Sequence, residues 1–593
     1  MITAFCSKSP FSVRSPLKRN YAKYDKRKGI EKKLERLNEE FSFSKDTNVT
    51  SDEDEIMFLN YFSYRKYKNM GQLHNSAKFN RAKYKYDYFI KFDIQNFFPS
   101  IYTHSLAWAI FGDKSIAKLN KGSKYDTLFA NATDKVAQKI NFNETHGLVV
   151  GPEFSRVISE LLLTKIDVAL FIELQLDGKI LNKDYLIYRY MDDYFIFSKD
   201  SDTTKVIEKK LENLLEKFNL HLNMDKKDLQ IRPFKLYSSP IIELKRILKE
   251  FEVEKLFIRL KLENNDNHED NIFIKGSRVS WNDMFTKIEK LIYENKSSSR
   301  KVVNYFLKTV RASLDYDGLK PWGLINALEI VTNIYSLDIN NESTNFLIAI
   351  YAKLNKKCNS LLKEQQKCLL DLDKNIDGYL ENKRFIENKI KNIEIVKESL
   401  FHNLYSTIKN NFDQMEVMYD LLILLKTFDK SLNAQFLSKI IQHFQDSYFI
   451  LCSVAYYIQN DNLNGLNKNY LTVIRVLEKA IDSIKTNYKN QGTGDNILEG
   501  KYFYIINDFS YYPGFQDSKK KKYKKQIKKD YEKVINSSTN NMQKKEKLTF
   551  VWGSITKRSY FEWNKSTDEF IRKIAKKSSN IYNNSELDNY DIS

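Results

Sequence analysis

The chain has 593 residues, with 96 Lys and Arg against 76 Asp and Glu and a formal net charge of +20. That length leaves room for several domains and a sizeable core, and the basic excess favours a polyanionic partner or substrate, nucleic acid or nucleoside triphosphates, although a lysine-rich coding bias would give the same balance. Cys6, Cys358, Cys368 and Cys452 lack CxxC or zinc-ligand spacing, which argues against a cysteine-bound metal and for free thiols in a reducing cytoplasm; the most apolar run, YFILCSVAYYI, falls short of the roughly 18 to 20 residues of a membrane span.

In chain order, the first twenty residues, MITAFCSKSPFSVRSPLKRN, are basic and acid-poor but lack the uninterrupted apolar region of a secretory signal, and they read as an exposed arm. Ile30, Leu34, Leu37 and Phe41 fall at helical spacing and predict an amphipathic helix, followed by a polar joint, TNVTSDEDE. Between about Asp87 and Phe234 short aromatic and β-branched runs, DYFIKFDI, YLIYRY and YFIFS, alternate with helical stretches, the texture of an α/β or α+β unit. Ile207, Leu211, Leu214, Leu215 and Phe218 mark one such helix, with Asp202 or Thr203 as its N-cap.

From about Arg300 to Asn490 no strand-like block stands out, and helical periodicity recurs in Val303, Phe306, Leu307, Val310 and Leu314 and in VMYDLLILLKTF. Gly (17) and Pro (8) are sparse, which also favours long helices. A helical C-terminal domain is expected, with stacked helix pairs as one arrangement, though no fixed repeat period is visible. NQGTGDN reads as a linker; the aromatic KYFYIINDFSYY, the basic KKKKYKKQIKK and an Asn/Ser-rich tail follow.

Two acidic motifs carry chemistry. In YRYMDDYFIFS two β-rich arms flank Met191-Asp192-Asp193, a hairpin whose tight connection holds the acids. Aspartate is ordinary in turns, but these arms are unusually apolar, so the carboxylates sit at the edge of a buried sheet and need compensation, for which a divalent cation is effective. Upstream, in IKFDIQNFFPS, Asp93 ends an apolar strand, ready to face Asp192 from a neighbouring one. Two such carboxylates can hold two Mg²⁺ ions about 3.5–4 Å apart, the equipment for phosphoryl or nucleotidyl transfer.

YMDD with such arms resembles the catalytic hairpin of reverse transcriptases, and FDIQNFFPSI, 99 residues upstream, is similar to the first acidic motif of the retron and group II intron branch. The resemblance implies an α+β right-hand polymerase fold followed by a large all-α domain. Its parts would be an N-terminal arm and fingers at 1–85, a palm at 86–235, a thumb-like or connecting region at 236–299, a helical domain at 300–490 and a basic, aromatic C-terminal region at 491–593. It also implies Asp93 and Asp192 as principal ligands of two Mg²⁺ ions, with Mn²⁺ as an alternative, and Asp193 as a third carboxylate.

Phe98 occupies the position where the family blocks a ribose 2′-hydroxyl, which favours deoxynucleotides, while the neighbouring Phe97 reads as core packing. The turn Thr145-His146-Gly147 lies where the family has Pro-Gln-Gly; Gly147 fits a close backbone approach to a nucleotide, and the absent Gln puts ordinary template handling in doubt. His146 is a candidate nucleotide contact or a structural histidine. LNMDK resembles the family's LNxxK signature, making Lys226 a candidate triphosphate contact beside Lys227. Arg65, Lys66, Lys68 and Arg81 lie where the fingers supply triphosphate-binding cations, or form a solvated basic face.

Tyr102 to Ser105 after the first acidic motif, and a THG turn leading into SRVISELL, resemble the abortive-infection (Abi, AbiK-like) reverse transcriptases of bacteria. That resemblance spans about Lys91 to Lys226 and implies phage defence in the cytoplasm, homo-oligomers, and untemplated DNA synthesis from deoxynucleoside triphosphates, primed by a protein tyrosine so that the DNA is covalently attached. Among 37 tyrosines, Tyr21 and Tyr24 in the arm are favoured as primers over Tyr582 and Tyr590 in the tail. The ribonuclease domain of one Abi branch is disfavoured, because no His follows His443 and neither His402 nor His443 has an Arg in the preceding turns. Two other readings stay open: a templated reverse transcriptase using a non-coding RNA bound by the Lys519–Lys529 segment through phosphate contacts and tyrosine stacking, and a non-enzymatic scaffold with a degenerate palm.

Overall fold

The structure is a computed structural model that describes residues 1–18, 62–64, 67, 70–235, 239–251, 280–313, 321–372, 379–459, 468–490, 497, 499–538 and 541–578. These divide into two compact units that meet in the chain between Ser239 and Pro240. The Ile30–Phe41 helix, the TNVTSDEDE joint, Arg65, Lys66, Lys68 and the four candidate priming tyrosines lie outside the described residues.

In the first unit, chain order is α1 (Ile2–Cys6), β1 (Pro16–Lys18), β2 (Phe62–Tyr64), α2 (Ala77–Lys85), β3 (Tyr88–Phe92), α3 (Phe97–Ser100), α4 (Thr103–Phe111), α5 (Phe129–Ile140), α6 (Glu153–Leu176), β4 (Tyr185–Tyr190), β5 (Asp193–Ser198), α7 (Ser201–Glu216) and β6 (Asp228–Ile231), with shorter helical turns between. β1 and β2 pair separately; the other strands form one sheet in the order β4-β5-β3-β6, antiparallel throughout.

Side chains alternate between the two faces of a strand, and both faces of this sheet are covered. Ile90, Phe92, Tyr194, Ile196 and Ile187 point into a core with α6 (Leu161, Leu162, Ile166, Leu170) and α7 (Ile207, Leu211, Leu214, Leu215). Phe89, Phe195 and Phe197 point the other way, onto Phe79 and Ala82 of α2, Leu73, Tyr86 and Val13. That is why YFIFS reads as a continuous apolar run rather than an alternating one. The α7 helix is capped by Asp200, whose carboxylate accepts the Thr203 amide at 2.7 Å, not by Asp202 or Thr203, because the helix already begins at Ser201.

The N-terminus differs from expectation. Residues 1–18 are no exposed arm: Cys6, Phe11, Ser12 and Val13 are buried, and burial pushes the Cys6 thiol up to about 12. Phe11 packs on Phe171 of α6 with ring centroids 6.4 Å apart. Basic composition mistook the segment for solvent-facing, because only a few of its residues, Cys6, Phe11 and Val13 among them, are apolar and reach the core.

In the second unit the described residues contain helices and no strand. Val303, Phe306, Leu307 and Val310 are buried on the helix Ser299–Ser313, as their spacing predicts, whereas VMYDLLILLKTF bends into two short helices, Met415–Met418 and Asp420–Leu425. The basic run lies on the helix Asp517–Ser538, whose Tyr523, Ile527, Tyr531 and Ile535 form a buried stripe at every fourth position. Lys521, Lys522, Lys524, Lys525, Lys528 and Lys529 are exposed. Tyr523 is wholly buried, so it cannot stack on RNA as expected; at helical spacing it falls on the core stripe rather than among the lysines.

His74 is 5% exposed and stacks on Phe79, with ring centroids 4.6 Å apart, and neither ring nitrogen has a hydrogen-bond partner among the described residues. Burial, helped by Lys83 and Lys91, holds it down at about 3, so it is neutral when folded. The unfolded chain takes up this proton near pH 6.5 and the folded one near 3, so stability declines as pH falls through that window. His74→Phe is expected to shift the acid-unfolding midpoint of the first unit to lower pH, measured by circular dichroism and tryptophan fluorescence.

Candidate active site

The β3–β5 register pairs Phe92 with Tyr194, and one further step of that register sets Asp93 opposite Asp193. Tyr190 pairs with Asp193 to close the β4–β5 hairpin, leaving Met191 and Asp192 as a two-residue connection. Such tight hairpins need a positive φ to match strand twist, and Met191 supplies it at φ +54°. Antiparallel pairing therefore gathers the three acids of two distant motifs at one sheet edge.

Burial pushes the Asp192 carboxyl up to about 6, with Asp193 and Asp93 adding to the rise and Lys226 opposing it. Asp193 is also raised, mainly by burial and partly by Asp93, against the pull of Lys91. Two lysines answer this crowding: Lys226 Nζ donates to Asp93 Oδ2 at 2.7 Å, and Lys91 Nζ lies 3.4 Å from Asp193 Oδ1. Lys226 gets there because the chain before it is laced to the end of β3: the Gln95 amide donates to His221 O at 2.9 Å and the Asn223 amide to Asp93 O at 2.8 Å. Lys227 turns away to pair with Glu208.

Phe97 is 3% exposed in the core, while Phe98 is only partly buried, with the two ring centroids 5.2 Å apart. Next to them the Thr145–Leu148 turn is bound backbone to backbone: Thr103 N donates to Thr145 O and Gly147 N to Ile101 O, each at 2.8 Å, and Leu148 N to Phe98 O at 2.8 Å. Gly147 has φ +87°, and a Cβ there would stand 3.3 Å from Pro99 O. This glycine thus has a reason within the fold itself. His146 is exposed on the outside of that turn, and Arg81 is exposed on α2.

Sequence reasoning missed the support beneath the hairpin. Arg189 is fully buried; its Nε meets both carboxylate oxygens of Asp167 (3.0 and 2.8 Å), Nη2 and Nη1 meet Glu160 (2.8 and 3.0 Å), and Nη1 also donates to Met191 O at 3.0 Å. Tyr194 donates its hydroxyl to Asp167 Oδ1 at 3.0 Å, and Ser12 to Glu160 Oε1 at 2.6 Å. Burial alone would lower the Arg189 pKa, but Asp167 and Glu160 more than offset that and raise it. The signal was present: an arginine inside the apolar strand YLIYRY, and Glu160 and Asp167 seven residues apart on one face of an apolar helix.

Oxygen-only donors of this kind suit a hard divalent cation, and the Asp192 carboxyl is raised by its burial first and by the neighbouring carboxylates after it. Among the described residues, however, no three metal-ligating side chains stand grouped around one point, and Lys226 and Lys91 pair with two of the carboxylates. The donor chemistry fits a divalent ion once those lysines yield.

Residues 45–241, about a third of the chain, match the family model described as Reverse transcriptase (RNA-dependent DNA polymerase). The chain thus carries a reverse-transcriptase domain. The matched domain is that of a nucleic-acid polymerase, a nucleotidyltransferase, and reverse transcriptases generally use divalent metal ions. No curated protein sequence matches the chain. Similar solved structures include telomerase from Candida albicans in complex with a TWJ fragment of telomeric RNA, at 13% identity over 60% of this chain and 56% of that one, TM-score 0.21. Apo telomerase from Candida tropicalis matches at 13% identity over 67% of this chain and 60% of that one, TM-score 0.21. The chain therefore spans less than two thirds of the length of these telomerases. No described helix is long and apolar enough to cross a membrane.

Because Asp192 titrates near 6 when folded and near 3.8 when free, its ionised form destabilises the metal-free protein above pH 6, and this penalty vanishes below about 4. Asp192→Asn is expected to stabilise the first unit at pH 8 in EDTA by on the order of 2 kcal/mol, allowing for partial exposure. Urea titrations should show that gain disappearing at pH 4 and shrinking when Mg²⁺ is added.

Proposed function

We propose that this chain is a phage-defence DNA polymerase of the abortive-infection type, cytoplasmic and homo-oligomeric, that extends a tyrosine of the protein itself without copying a template. The observation that carries the polymerase part is the meeting of Asp93, Asp192 and Asp193 at one sheet edge, with Lys226 on Asp93. Asp93 and Asp192 would hold two divalent ions, Mg²⁺ or Mn²⁺, with Asp193 beside them. Bound there, the ions supply Lewis-acid charge to the attacking and leaving oxygens of nucleotidyl transfer.

The chain's own residues do the rest. Lys226, freed from Asp93 by that charge, is long enough and exposed enough (67%) to reach a triphosphate and place a proton on the departing pyrophosphate. Arg65 would add a second cation to the triphosphate. Phe98 stands at the sugar and excludes a 2′-hydroxyl by its bulk; Gly147 keeps the neighbouring backbone low. Untemplated synthesis is supported by the Thr145-His146 pair where Pro-Gln would handle the template: His146 is exposed, and the Thr145 carbonyl already accepts the Thr103 amide. Tyr21 and Tyr24 are the proposed primers, since a phenol can attack once a base or metal takes its proton.

The exposed lysines on the helix Asp517–Ser538 favour one alternative, a templated enzyme with a dedicated non-coding RNA held by phosphate contacts. Purified protein incubated with labelled deoxynucleotides and Mg²⁺ is expected to become covalently labelled, with the label released by protease and nuclease, and with no complementary RNA recovered. Asp192→Ala should reduce labelling by about 10³-fold or more, and Tyr21→Phe with Tyr24→Phe should abolish attachment. Labelling that survives Asp192→Ala sinks the proposal; product sequence complementary to a copurified RNA decides for the alternative. Phe98→Val is expected to raise ribonucleotide use relative to deoxynucleotide by about tenfold or more, read as a ratio of kcat/KM values.

A further inference from the structure

Met191 is a bulky residue held at a φ that glycine or asparagine adopts more readily. Something must hold it there, because the next residue is Asp192. Residues 9–14 run along the outer side of β4, with Ser12 bridged in parallel to Arg189: the Arg189 amide donates to Phe11 O at 2.9 Å and the Val13 amide to Arg189 O at 3.0 Å. From this segment Ser12 braces Glu160, and Ser9 bonds Asp167 while accepting the Ser12 amide at 2.8 Å. Both acids grip Arg189, whose Nη1 holds the Met191 carbonyl. Arg14 reaches the same residue from its other end, with Nη1 3.0 Å from Met191 Sδ and the guanidinium 5.4 Å from the centre of the Tyr190 ring.

We propose that residues 9–14 form a strap that sets the catalytic turn, with Arg14 and Arg189 as positioning residues that clamp Met191 in its left-handed conformation and so aim Asp192. The strap touches no reacting atom. It acts through the turn, and its catalytic consequence rests on the polymerase reading above, whereas its effect on the turn does not. An arginine suits both places: a planar guanidinium can lie on an aromatic ring and donate in a fixed direction, which an ammonium group does not do.

Arg189 variants risk unfolding the core, so the test uses Arg14→Ala, Arg14→Lys and Ser12→Ala in the full chain. Hydrogen exchange of a peptide covering Tyr188–Tyr194 is expected to quicken in Arg14→Ala by about tenfold or more, with helix Leu471–Asn490 and the α6 core unchanged. For nucleotide incorporation, kcat should fall about tenfold with KM within about twofold, the pattern of a lost transition-state alignment rather than lost binding. Arg14→Lys should recover only part of either effect. Adding Met191→Asn to Arg14→Ala, which gives the turn a residue that favours positive φ, should restore slow exchange at the turn. Unchanged exchange at Tyr188–Tyr194 overturns the strap, as does exchange that rises across the whole first unit or a loss confined to KM. If wild-type protein incorporates no nucleotide, the polymerase reading fails and the exchange result still decides the strap.

Discussion

The buried ion cluster of Arg189, Glu160 and Asp167 is the constraint on which the rest of the first unit depends. It joins α6, the hairpin strand β4 and the N-terminal segment inside a core where an unpaired charge would be costly. Removing one member would leave the others uncompensated, a loss of about 3–5 kcal/mol, so the arrangement has little freedom to shift. Two carboxylates on one guanidinium leave an excess negative charge, which is why three hydroxyls, from Ser9, Ser12 and Tyr194, turn their protons toward the acids. This polar knot lies directly under the hairpin turn, and one of its hydrogen bonds ends on the turn's own backbone.

Above the knot the electrostatic situation is reversed. Burial, with neighbouring carboxylates adding to it, disfavours ionisation of Asp192 and Asp193 at the sheet edge, and Asp192 is pushed up to about 6. Lys226 and Lys91 relieve part of it. Rigid packing below and unmet charge above are complementary conditions: the first holds the hairpin turn in place, and the second leaves carboxylates of the kind that a divalent cation satisfies.

Much of this was legible in the residues. The apolar arms of YRYMDDYFIFS predicted a hairpin, IKFDI predicted a strand ending in an acid, and the structure pairs them in one sheet. Helical periodicity at Val303–Val310 was equally readable, because a buried stripe leaves a period in the sequence. The N-terminal segment was misjudged because it has neither period nor apolar majority; it is held by serines and backbone pairing, interactions with no local signature. Tyr523 was misplaced for a related reason, since neighbours in sequence hid its membership of a stripe at every fourth residue. Gly147 was read as room for a nucleotide, and the fold shows that its φ and the nearby Pro99 oxygen already require it.

The sequence alone therefore determined the strands and the hairpin that carry the three acids, because acids between apolar runs leave a local pattern. Only the tertiary structure decided which lysine meets Asp93, that Lys91 answers Asp193, and that an arginine in the hairpin arm is tied to acids on a helix and serines at the N-terminus. Those are contacts between residues far apart in the chain, 22 positions for Arg189 with Asp167 and 133 for Lys226 with Asp93. Their partners are chosen by strand register and helix packing, which the one-dimensional pattern constrains but does not specify.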